Sequence, residues 1–156
     1  MDLLPYFQTL ETVGLGRVVR ESVWLFPAIE AVHLLALSLL GGALLLVDLR
    51  LLGAGLTGAS AAALARAARP WLTAAVALII GTGVPLFLSE AVKCYYSPSF
   101  WVKMLTLPLA LLFTYAVRQR VAERDSTSRG TAAAVGAVSI TLWFVVAAAG
   151  RWIGFS

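Results

Sequence analysis

The sequence predicts an all-α integral membrane protein, a four-helix bundle with a short N-terminal interfacial helix. Three observations carry that prediction. The 156-residue chain is 60% hydrophobic and 13% charged, with a mean hydropathy of +0.89, which leaves too little polar side chain to coat a soluble domain of this length. Four apolar segments, at about 27–47, 71–88, 100–117 and 132–149, are each long enough to cross a hydrocarbon core of about 30 Å. No alternating strand pattern of about ten residues occurs, and lipid leaves unpaired backbone no water to bond, so helices are the only solution. One transmembrane domain over residues 1–156 follows, without a second domain or a visible repeat.

The N-terminal stretch MDLLPYFQTLETVGLGRVVRES opens on Asp2 instead of a basic region and has no long apolar core, so no secretory signal is expected. Leu3, Leu4, Phe7 and Leu10 recur near helical spacing, with Gln8 and Glu11 on other faces. That pattern predicts a short helix at the membrane surface.

The first span carries the least expected residues. Pro27 suits a first helical turn, where its missing N–H has no partner to lose. Counting from Pro27, His33 lies about 9 Å down the helix at 1.5 Å per residue. It is the only histidine of the chain, and Glu30 stands one turn above it on nearly the same face. Fourteen uncharged residues separate His33 from Asp48, so the ring has no route to water on that side. A polar group at this depth is costly unless paired, which makes Glu30 and His33 candidates for function. The structural alternative is that they bond to each other and to a neighbouring helix. Ser38 and Gly42 form a small-xxx-small pair, predicting close helix contact on the side away from His33. Asp48 and Arg50, two residues apart, do not face each other; Asp48 is expected to pair with a loop arginine such as Arg66 or Arg69 and to lock that end of the bundle.

In the second span Gly81, Gly83 and Pro85 are expected to interrupt the helix, allowing a kink or the close approach of a ligand. Lys103 begins the third span and Arg151 ends the fourth. Snorkelling to the interface is one reading for both. Convergence with Glu30, His33 and Glu90 in one pocket is the other. Trp24, Trp101 and Trp152 are expected to anchor one interface and Trp71 the other. Trp143, in mid-span, is expected to pack in the core with its indole N–H bonded to a neighbour. Cys94 is single, so it forms no intrachain disulfide; no Cys-x-x-Cys-His motif exists for covalent haem.

Seven arginines (Arg50, Arg66, Arg69, Arg118, Arg120, Arg124 and Arg129) fall toward the two long loops, against Arg17, Arg20, Lys93, Lys103 and Arg151 on the other side. The positive-inside rule then places both termini outside, periplasmic if the membrane is a bacterial inner membrane. This distribution accounts for the net charge of +4 without nucleic acid as a partner.

The segments WLFPAIEAVH and VDLRLLG, a lysine early in the third span and GRWIGF at the end together resemble an uncharacterised family of bacterial four-helix membrane proteins, a domain of unknown function, over essentially the whole chain. The chain is more distantly similar to the four-helix membrane protoporphyrinogen oxidases and the copper-resistance D proteins. The former resemblance implies a first-helix histidine that binds haem b and a functional third-helix lysine. His33 and Lys103 occupy those places in order and helix number. The surrounding signature of the oxidases is absent, so their activity does not carry over. Two methionines, one cysteine and one histidine are too few for copper relay.

Three functions compete. In the first, the protein binds b-type haem, with His33 as metal ligand, Glu30 orienting the ring, and Lys103 or Arg151 neutralising propionates. It would transfer electrons or oxidise a lipid-soluble substrate, with a homo-oligomer interface, Met104 or a ligand such as water completing the iron. In the second, it is a non-catalytic subunit that packs in a larger membrane complex or with itself. In the third, it is an oligomeric channel or proton-linked transporter, although no inverted repeat is visible.

Overall fold

A computed structural model describes residues 3–56, 58–124 and 127–155; Asp2, on which the reading of the N-terminus opened, lies outside them. Every regular element among the described residues is helical. The order is α1 (Leu4–Glu11), α2 (Gly14–Glu21), α3 (Leu25–Leu52), α4 (Ala61–Ser89), α5 (Ala91–Tyr96), α6 (Pro98–Phe113), a π-helical turn (Thr114–Arg118), α7 (Gln119–Glu123) and α8 (Arg129–Ile153). Four spans result: α3, α4, the continuous segment Pro98–Glu123, and α8. The protein is therefore a multi-pass membrane protein. Its N-terminus folds as two short helices where the hydrophobic spacing predicts one.

The spans outrun their hydropathic cores. The 28 residues of α3 cover about 42 Å. It ends in a Schellman motif: Gly53 adopts φ +72°, Gly53 N–H bonds Arg50 O, and Ala54 N–H bonds Leu49 O. Helix α4 starts ten residues before Trp71, capped by the Ser60 hydroxyl, which accepts from Ala63 N–H at 3.1 Å. The alanine-rich run AAALARAARP, read from hydropathy as loop, is good helix sequence and propagates from that cap. Ser128 caps α8 in the same way, accepting from Thr131 N–H.

Helix α3 is central. It packs against α4 on one side and α8 on the other, and α6 packs on α8. Buried positions on α4 (Ala65, Ala68, Leu72, Ala75 and Ile79) alternate by three and four, as do Ala36, Leu40, Ala43 and Val47 on α3, the spacing of left-handed helix packing. Helices α4 and α6 make scarcely any direct contact. Toward the α3–α4 and α7–α8 loops α7 fills the space between them, and at the opposite, terminal end α5 does.

The terminal end is capped. Helix α1 lies on α5, and α2 lies on α4 so closely that a Cβ at Gly16 would clash with the Leu88 carbonyl. Phe7 sits among Phe87, Tyr95, Phe100 and Trp101, with Phe87 and Phe100 stacked at 5.4 Å. Glu11 ties the cap together: it accepts from Arg20 at 2.7 Å and from Val92 N–H, at the start of α5, at 2.8 Å.

Candidate functional site

Two polar clusters interrupt the apolar interior, one in each half. In the half nearer the loops, the π-helical turn inserts an extra residue into the third span, so that Thr114 and Arg118 both point inward. Arg118 Nε pairs with Asp48 Oδ1, Nη2 donates to Leu44 O at 2.8 Å, and Ser139 donates to Asp48 Oδ2 at 2.8 Å. Arg118 and Asp48 are each 1% exposed, so the pair is fully inside the bundle. This corrects the expectation of a loop arginine: Arg66 and Arg69 are exposed on α4, and the partner is an arginine whose place just beyond the hydropathic span had marked it as loop. Arg50 instead donates to Ala59 O at 2.7 Å, tying α3 to the following loop. Trp143 N–H donates to Thr114 Oγ1, which donates to Ala110 O.

The second cluster lies in the half nearer the termini. Thr82 donates its hydroxyl proton to Leu78 O at 2.6 Å, one turn back along α4. With that proton committed, the 2.7 Å contact between Thr82 Oγ1 and His33 Nδ1 requires the ring to donate. The neutral ring is then the Nδ1–H tautomer, and Nε2 has no hydrogen-bond partner among the described residues. The ring passes close to Gly83, where a Cβ would stand 3.4 Å from Cε1. Helix α4 runs unbroken past Gly81, Gly83 and Pro85; the glycine supplies a close approach, not an interruption.

Lys103 reaches into the same region from α6. Its Nζ stands 3.4 Å from where a Cβ would lie on Gly150 of α8. Among the described residues Lys103 has no ion-pair partner.

Of the five charged or polar residues expected to converge, the structure brings together only His33 and Lys103. Glu30 is exposed, because three residues turn a helix by about 300° and leave its carboxylate off the interface His33 occupies. The ring's orienting partner is Thr82 in its place. Arg151 is exposed and covers the Phe155 ring at 4.3 Å, and Glu90 pairs with Lys93 at 3.8 Å. Met104 is 40% exposed on the outer side of α6. Ser38 and Gly42 are also exposed: Ser38 bonds its own helix at Leu34 O, and a Cβ on Gly42 would meet nothing within 4 Å. That face packs on no other helix among the described residues.

Sequence reasoning missed Thr82 and Arg118. A threonine between two glycines, GTG, was the available signal for the first; none existed for the second, since hydropathy does not reveal a π-turn.

A model of a family of unknown function (DUF6644) matches residues 6–156. The chain belongs to that family. No curated protein and no solved structure matches it.

Proposed function

We propose that the protein binds b-type haem in the terminal half of the bundle, for electron transfer or for oxidation of a lipid-soluble substrate. The observation that carries this reading is the His33–Thr82 hydrogen bond, which commits Nδ1 and leaves Nε2 of the neutral ring free to ligate, with the Lys103 ammonium in the same half of the bundle. The donor set fits the group. Neutral imidazole is a standard haem ligand, and a fixed Nδ1–H partner holds ring and tautomer for it. Lys103 would pair with a propionate carboxylate. Bound haem supplies one-electron chemistry; the chain's own part is to orient the ligand and neutralise the carboxylate. His33 is the single histidine each chain could offer the group.

Protein purified from haem-supplied cells should show a Soret band that His33→Ala abolishes. Thr82→Val should retain the fold and weaken haem retention. A wild-type protein that takes up no haem, even on reconstitution, refutes the reading. We also propose a bacterial inner membrane location with both termini periplasmic, supported by the arginine excess at the loop end. Alkaline phosphatase fused after residue 156 should then be active, and an inactive fusion reverses the orientation.

A further inference from the structure

We infer that the lipid-facing side of α4, at its loop end, is a binding site for an anionic phospholipid. Arg66, Arg69, Pro70, Thr73, Ala74 and Ala77 line one surface groove of about 670 Å³. At 100° per residue all six fall on one face, opposite the buried row Ala65, Ala68, Leu72, Ala75 and Ile79. The groove thus opens outward, to the bilayer. Both arginines are exposed, and neither guanidinium has an ion-pair or hydrogen-bond partner among the described residues.

The grading of chemistry along the groove identifies the occupant. Two guanidiniums stand at its mouth, and Trp71, 60% exposed, marks the interfacial level beside them. From Arg69 the groove descends about 12 Å past Thr73 to Ala74 and Ala77, whose small side chains leave room for a chain. An anionic head joined to an apolar tail matches that sequence of surfaces. The charge balance points the same way. With Asp48 and Arg118 paired internally, the loop end carries six arginines (Arg50, Arg66, Arg69, Arg120, Arg124 and Arg129) against Glu123 and Asp125. Guanidinium forks match phosphate oxygens bidentately.

The test is native mass spectrometry of the full chain released from detergent, with phosphatidylglycerol, phosphatidylcholine or inorganic phosphate added. Wild type should retain phosphatidylglycerol and not phosphatidylcholine, and excess inorganic phosphate should not displace the lipid. A basic residue near an anionic lipid surface contributes about fivefold in affinity, so R66Q/R69Q should bind about thirtyfold more weakly. R17Q/K93Q, which removes two charges at the opposite end, should bind as wild type does. Equal retention of phosphatidylcholine, unchanged binding by R66Q/R69Q, or equal weakening in both double variants overturns the site. Displacement by inorganic phosphate makes the ligand a soluble anion and overturns the lipid.

Discussion

Replacing Asp48 with asparagine isolates the internal ion pair. Asparagine keeps the shape and an acceptor for Arg118, so packing and hydrogen-bond count change little while the countercharge disappears. Arg118 is 1% exposed and is held by the Leu44 carbonyl as well; it has nowhere to snorkel, because the π-turn aims it inward. Removing one partner of a buried pair leaves an uncompensated charge and costs about 3–5 kcal/mol. On a stability of about 5–15 kcal/mol, that is a large fraction. Equilibrium unfolding in mixed micelles reads the difference. The companion variant, Asp48→Leu with Arg118→Met, removes both charges at once and should recover most of the loss, since apolar replacement of a buried pair is often neutral. With the single variants Asp48→Leu and Arg118→Met closing the cycle, the coupling between the two sites reports the interaction itself. If Asp48→Asn costs less than about 1 kcal/mol, or if the double variant is no more stable than the single one, the pair does not hold Arg118 in the bundle and the reasoning fails.

Gly16→Ala should loosen the cap, because its Cβ would meet backbone at Leu88 that cannot swing away; a cost of about 1–3 kcal/mol and faster tryptic cleavage at Arg17 and Arg20 are expected, with Gly14→Ala, which meets nothing within 4 Å, as the silent control. Burial, reinforced by the Glu90 carboxylate, pushes the Cys94 thiol from its usual 9.0 up to about 11. A raised thiol pKa favours the folded state fully below pH 9 and loses that contribution as pH rises toward 11. Maleimide at pH 8 should accordingly label the folded chain about a hundredfold more slowly than the unfolded one, and equal rates would show the thiolate to be freely accessible.

The spans were legible because hydropathy reports the cost of burying polar groups in lipid, and that cost dominates the middle of each helix. Their ends were not. Ala61–Pro70 reads as loop only if arginine is taken as a helix stop, whereas Arg66 and Arg69 extend their stems along an alanine helix and keep their charges at the headgroups. His33 and Lys103 stood out as ionisable groups in apolar sequence, but which residues they meet depends on helix rotation. That rotation is set by alanine and glycine contacts such as Gly83 and Gly150, which a single sequence does not rank. Arg118 shows the limit most clearly. In a regular α-helix its position relative to Ala110 and Thr114 would differ by a fraction of a turn, and one inserted residue decides whether it faces Asp48 or lipid.

The two polar clusters differ in how fully their groups are satisfied. Both sit on α3, fifteen residues or about 22 Å apart, in the same apolar surroundings. In the loop half each carboxylate oxygen of Asp48 has a donor, and Trp143, Thr114 and Ser139 complete the set. This is what structural burial demands, since an unpaired polar atom in hydrocarbon costs several kcal/mol. In the terminal half His33 has one nitrogen satisfied and one open, with Lys103 nearby lacking a counterion. Over that half α1, α2 and α5 build a fitted aromatic lid tied by Glu11. A bundle that needed polar groups only as glue would close both clusters alike. Saturation at one end makes Asp48–Arg118 architecture; at the other, the unpartnered Nε2 of His33 and ammonium of Lys103 are what the proposed binding role rests on.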